Sequence, residues 1–268
     1  MNSTTGNVTT DNATADNRKV ALVTGAGQRL GAAMIRGLQQ NGFNVVVHYR
    51  NSKVAAEALC QALNALRANS AKSVQADLND PQQLINLVKQ SIAAFGRLDV
   101  LVNSASSFYA TPMGQVTEAD WHDLIGSNAK APFFLSQALA SELARNNGCI
   151  INMVDIHADK PLQLHPIYCM AKAALVMMTK SLAKELAPTI RVNGIAPGAI
   201  LWPEPAQNES SGLSETDKAS VLSQIPLGRL GDTDDITQTL LFLVHAPYVN
   251  GQIIAVDGGR SLGAASKA

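Results

Sequence analysis

From Lys19 onward the chain alternates short, continuously apolar runs with longer stretches whose apolar residues recur every three or four positions. KVALVTG precedes helical spacing from about Arg29 to Asn41, and FNVVVHY precedes AAEALCQALNALRA. KSVQAD, DVLVNS, GCIINMV, IRVNGIAP and GQIIAVDGG complete seven candidate strands, with helical segments beginning near Pro81, Pro132, Pro166 and Asp234. Strands apolar at consecutive positions need cover on both faces, and intervening helices supply the crossovers that parallel neighbours require. The expected fold class is therefore α/β, a doubly wound seven-stranded parallel sheet with helices on both faces.

Composition narrows the partners. Lys plus Arg and Asp plus Glu number 21 each among 268 residues, so no basic field exists to neutralise nucleic-acid phosphates or to settle on a bilayer. No apolar run approaches the roughly 20 residues needed to span a membrane. A soluble protein acting on a small molecule is expected, without nucleic-acid or membrane partners. Cys60, Cys149 and Cys169 are odd in number and lack metal spacing, and the five His residues form no paired-ligand pattern. No metal site and a reducing, cytoplasmic setting follow. Residues 1–18, rich in Asn and Thr with almost no large apolar side chains, are expected to form a disordered tail, leaving 19–268 as one domain. The stretch from Trp202 to Ser214 is expected to be a loop inside that domain, part of a substrate loop near 200–226 that can serve as a lid.

In a doubly wound sheet the turn after the first strand holds phosphates at a helix start. Here that turn is TGAGQRLG, Thr24 to Gly31, where Gly25 permits a tight turn and Gly31 allows the helix to pack closely on the sheet. The second strand ends at His48 and Tyr49, the position where an acidic residue would accept from an adenosine ribose 2′-hydroxyl. This chain offers Arg50, Asn51 and Ser52 instead, a cation and two hydrogen-bonding side chains suited to a 2′-phosphate, and NADPH is the predicted cofactor; solvated loop residues are the alternative. Asp77, at the end of the third strand, either accepts from the adenine amino group or caps a helix.

Tyr168 and Lys172 stand four residues apart and share a face of a helix, so the ammonium is expected to favour the ionised phenol and lower its pKa. Such a phenol exchanges protons with a reacting group while a nicotinamide transfers hydride. Together these segments resemble the short-chain dehydrogenase/reductase family, a Rossmann-fold family, over essentially Lys19 to Leu262. TGAGQRLG is similar to the family's TGxxxGxG, NSAS at Asn103 to Ser106 to its NNAG, YCMAK to its YxxxK, and IAPGAI to its PG segment, with Asn128 for the tetrad Asn. The resemblance implies that Lys172 also binds the nicotinamide ribose and that Asn128 helps hold a relay water. It also implies that Leu30, Tyr49, Leu78, Asn103, Ser104, Ala105, Met153, Pro197, Gly198 and Ile200 border the cofactor.

Two positions depart from that pattern. Arg29 replaces a glycine of the turn, and Asp155 replaces the Ser that usually stands thirteen residues before the Tyr. A Ser hydroxyl donates to a substrate carbonyl, whereas an ionised carboxylate only accepts and repels charge developing on that oxygen. Asp155 therefore suits a heterocycle rich in N–H donors, and reduction of a C=N bond. The combination resembles the pteridine reductases, including dihydromonapterin-type enzymes: NSASSFYATP is similar to that subgroup's NNASAFYPTP, and HYRNS to its HYHNS. This implies that Phe108 stacks on one face of a pterin with nicotinamide on the other, that Ser106 hydrogen-bonds it, and that Arg29 reaches both pyrophosphate and pterin. Asp155, Tyr168 and Lys172 would supply the catalytic protons. For Phe108 core packing is the alternative; Trp202 either closes the pocket or is an ordinary loop aromatic. A carbonyl reductase of the oxoacyl or sugar type and a non-catalytic NADPH sensor are the competing functions. Family likeness further implies a homotetramer, for which Leu175, Val176, Met177 and Met178 could supply a face.

Overall fold

Each continuously apolar run becomes a strand. In the computed structural model, which describes residues 17–202 and 214–263, the strands are β1 (Val20–Val23), β2 (Asn44–Tyr49), β3 (Ala71–Gln75), β4 (Val100–Asn103), β5 (Cys149–Met153), β6 (Arg191–Pro197) and β7 (Ile253–Val256). All neighbours are parallel, in the order β3-β2-β1-β4-β5-β6-β7. The order reverses between β1 and β4, which opens a crevice beyond the carboxyl ends of the strands.

Every residue of β1, β2, β4 and β5 is buried, so a core lies on each side of the sheet. One face is covered by Met34, Ile35 and Leu38 of α1 (Arg29–Gln40), Leu59 and Leu63 of α2 (Lys53–Leu66), and Ile236, Leu240 and Leu243 of α8 (Thr233–His245). The other is covered by Leu84 and Leu87 of α3 (Pro81–Phe95), Leu135, Leu139 and Leu143 of α5 (Ala131–Arg145), and Ala183 of α6 (Pro166–Glu185). Two further helices bury almost no side chains. α4 (Glu118–Ile125) buries only Leu124 and starts in a capping box between Thr117 and Asp120. α7 (Glu215–Ser223) buries nothing and is capped by Ser214, so part of the stretch expected as a substrate loop is helical.

Between α4 and α5 runs a single π-helical turn, Gly126–Lys130, which holds Asn128. A buried polar chain ties sheet to helix behind the site: Asn103 Nδ2 donates to Asn152 Oδ1, Asn152 Nδ2 to Thr179 Oγ1, and that hydroxyl to the Leu175 carbonyl. Each bond is made away from water, so the chain fixes α6 on β4 and β5. The tail expected over 1–18 lies outside the described residues except for Asn17 and Arg18, as do positions 203–213 of the loop expected after Trp202. Among the described residues no helix is long and apolar enough to cross a membrane.

Candidate active site

The crevice at the strand-order reversal is a cavity of about 540 Å³. Its floor is the β1–α1 turn. Gly25 has φ of +64°, and a Cβ there would stand 2.8 Å from Ala105 Cα, so the turn needs glycine for both its backbone and its clearance. Thr24 Oγ1 accepts from the Ser104 and Ala105 amides at 2.9 and 3.0 Å, which locks the β4 loop beside the turn. Arg29 has a left-handed backbone (φ +52°), a strained choice for a side chain of its size. Its Nη2 donates to the Trp202 carbonyl at 3.0 Å.

α1, like α2, α5 and α6, starts without a side-chain cap, and its start faces the cavity. The side chains of Asp80, Thr117, Ser214 and Asp232 cap α3, α4, α7 and α8, but Gln28 makes no side-chain cap bond and the first turn of α1 holds no acidic residue. Its leading amides and the positive end of the helix dipole thus face the cavity as an anion cradle. At the adenosine end lie Tyr49, Arg50, Ser52, Asp77 and Leu78. Arg50 stands 3.6 Å from Asp123 of α4, and Asn79 Nδ2 donates to the same carboxylate oxygen at 3.4 Å. Asp77 is not the cap of α3, a part taken by Asp80; its Oδ1 accepts from the Asn79 amide.

At the other end Asp155, Tyr168 and Lys172 meet on the cavity wall. The Tyr168 hydroxyl donates to Asp155 Oδ2 at 2.7 Å, while Asp155 Oδ1 accepts from the His157 amide at 2.8 Å. Lys172 Nζ donates to the Met153 carbonyl at 2.9 Å and lies 5.5 Å from the centre of the Tyr168 ring. The expected lowering of the phenol's pKa does not occur in this arrangement. Burial and the carboxylate beside it push Tyr168 well above its ordinary range, because both favour the neutral phenol. Burial lowers Lys172 to about 8, with Asp155 pulling in the opposite direction.

Asn128 is buried behind this group. Its Nδ2 donates to the Ser107 and Leu124 carbonyls, and its Oδ1 accepts from Ser106 Oγ at 2.7 Å. Phe108 is 52% exposed, which removes the core-packing alternative. It stacks on His165 with ring centres 4.7 Å apart and meets Tyr168 edge-on at 4.8 Å. Leu30, Gly31, Ser104, Ser106, Met153, Pro197, Gly198 and Ile200 also border the cavity. Five predicted residues do not reach the cavity lining: Asn128 is buried behind it, Phe108 lies against His165 and Tyr168, Asn51 is exposed beside it, Asn103 is buried in the sheet against Asn152, and Trp202 meets Arg29 through its carbonyl. Sequence reasoning missed Gln28, His48, Asn79, Ser107 and Ser127 on the lining and the partners Asp123 and His165. Of these, Gln28 lies within TGAGQRLG, Ser107 within NSASSFYATP and His48 at the end of the second strand, each beside positions already singled out, whereas Asn79, Ser127, Asp123 and His165 carried no such signal.

The cavity suits a nicotinamide dinucleotide on its own chemistry. A glycine-lined anion cradle lies between a cationic adenosine end and a wall bearing a phenol and an ammonium. The family model described as enoyl-(acyl carrier protein) reductase matches residues 25–261. Pteridine reductase 1 of Leishmania tarentolae is 36% identical over 285 residues, covering 91% of this chain and 96% of its own length. A 3-oxoacyl-(acyl-carrier-protein) reductase FabG of Staphylococcus aureus is also 36% identical, over 247 residues, covering 90% and 97%. Sheet order, glycine turn and the Tyr168–Lys172 pair thus agree with matches that run almost end to end, and the chain belongs to the short-chain dehydrogenase/reductase family of NAD(P)-dependent oxidoreductases.

Proposed function

We propose that this protein is an NADPH-dependent pteridine reductase, taking a dihydropterin to the tetrahydro level and acting on dihydrofolate as a secondary substrate. The observation that carries the reading is the Asp155 carboxylate, which lines the cavity and accepts a hydrogen bond from the Tyr168 hydroxyl at 2.7 Å. A carbonyl oxygen gaining negative charge is poorly served beside an anionic acceptor, whereas a ring bearing amino and N–H donors is well served. Exposed Phe108 adds a flat apolar face next to Tyr168, a contact suited to an aromatic heterocycle.

When bound, the reduced nicotinamide supplies hydride to the carbon of the C=N bond. The chain's own residues supply the proton to nitrogen. Tyr168 is held neutral and is therefore a donor, and Asp155, only partly buried, passes a replacement proton inward from solvent. Lys172, fixed by the Met153 carbonyl, holds positive charge beneath the phenol and steadies the negative charge left after donation. For the cofactor type, Arg50 supports NADPH: a 2′-phosphate offers its guanidinium a stronger partner than Asp123 at 3.6 Å. The reading extends to a homotetramer, for which Phe133 and Phe134 on α5 and Met170 and Met177 on α6 offer exposed apolar surface.

The test is NADPH consumption measured in parallel with dihydrobiopterin, dihydromonapterin, dihydrofolate and an acetoacetyl thioester. Turnover of a dihydropterin, reduced about a hundredfold in Asp155→Ser, is expected from loss of a proton-transfer group. Preferred turnover of the thioester would replace the reading with a carbonyl reductase, the activity named for the Staphylococcus relative.

A further inference from the structure

His48 is almost completely buried, 1% exposed, at the end of β2. Its ring bridges two loops. Nδ1 lies 3.1 Å from the Gly25 amide, and Nε2 lies 3.1 Å from the Ala76 carbonyl beyond β3. An amide can only donate and a carbonyl can only accept, so the two contacts fix one tautomer, with the proton on Nε2 and the lone pair on Nδ1. The His48 carbonyl also accepts from the Ala26 amide at 2.8 Å. Two successive amides of the glycine turn are therefore engaged by one residue, and neither is left for a phosphate. Phosphate binding falls to the amides that follow, at the uncapped start of α1.

The position of those amides depends on the turn, and the turn depends on what holds Gly25 in its left-handed conformation. We propose that His48 is a positioning residue for the dinucleotide: a neutral imidazole that sets the Gly25 turn against the β3 end, and so sets the distance between the phosphate cradle and the adenosine pocket. Burial keeps the ring neutral, pushing it down to about 4 against the opposing influences of the Ala76 hydrogen bond and the Asp77 charge. Protonation would place a donor opposite the Gly25 donor. Only a residue with one acceptor and one donor at opposite ends meets both loops. Phenylalanine matches the shape and satisfies neither, whereas glutamine carries both groups.

The inference rests on the dinucleotide reading of the cavity and is independent of which substrate is reduced. The decisive measurement is NADPH affinity of the full chain, by titration calorimetry, for wild type, His48→Phe and His48→Gln. His48→Phe is expected to weaken NADPH binding about tenfold or more, from two buried groups left without partners, with kcat at saturating NADPH within about twofold of wild type; His48→Gln should recover most of the affinity. Unchanged affinity in His48→Phe, or a fall in kcat at unchanged affinity, would overturn the proposal. Should His48→Phe fail to fold, long-range proton–nitrogen NMR on wild type and the affinity of His48→Gln decide it. A neutral ring protonated on Nε2 near pH 7 is required, and a ring protonated on Nδ1 or on both nitrogens rejects it. Wild-type protein that binds neither NADPH nor NADH would instead refute the cofactor reading itself.

Discussion

At Lys172 and Tyr168 two neighbouring groups are displaced in ways that a sequence pattern does not convey. Lys172 titrates near 8 because it is buried, so it is cationic below that pH and neutral above it. The sign for activity follows: kcat/KM, which reports groups of the free enzyme, should fall as pH rises through about 8, and a pH–rate profile checks this. Lys172→Met should remove that limb and lower activity at every pH. Arg29 offers a second test. Its positive φ stores strain that Arg29→Gly would release, about 1 kcal/mol, or roughly 2 °C in a thermal melt. The same change should raise the KM for NADPH, separating stability from binding. The pairing of Tyr168 with Lys172 was legible in the spacing, but the rise of the phenol's pKa was not. That rise depends first on the burial of the phenol and then on Asp155 lying 2.7 Å from the hydroxyl, a distance set by the loop after β5.

Among the elements, the strands were easiest to read because all but β3, whose AKSVQ carries three polar residues, have a run of consecutive apolar residues. α3, α5, α6 and α8 were legible through proline or aspartate at their starts. α4 and α7 were missed because they are short, and Leu124 is the only buried side chain of the one while the other has none. The Thr117 and Ser214 caps were their only signals. Contacts between distant loops, Arg50 with Asp123 and Phe108 with His165, leave no trace in local sequence. The fit of α1 to its turn gives a prediction at this scale. A Cβ on Gly31 would lie 2.5 Å from the Gly25 carbonyl oxygen and 2.8 Å from Ala26 Cα, both backbone atoms that cannot turn aside. Gly31→Ala is expected to cost about 1–3 kcal/mol in denaturant unfolding and to impair cofactor binding, since helix and turn must separate.

For the molecule as a whole, the proposed tetramer makes its own demand. Met177 is 63% exposed, whereas Leu175 is 1% exposed and belongs to the core, so only part of the face expected on α6 is available to a partner. Charged replacement of Met177 and Phe134 together should lower the mass measured by light scattering, while leaving the helical content seen by circular dichroism in place. Leu175→Ala should instead destabilise each subunit, by about 2–5 kcal/mol for a buried leucine.

The bare start of α1 also carries a consequence for how order is distributed before a ligand arrives. Helix ends that lack a hydrogen-bonding neighbour fray first, so the amides of residues 29–31 should trade protons with deuterated solvent sooner than those of the capped α3 or α8. Dinucleotide phosphates would act as the missing lid on that first turn. Mass-spectrometric exchange should then slow most sharply there on binding, marking the place where the fold is completed by its guest.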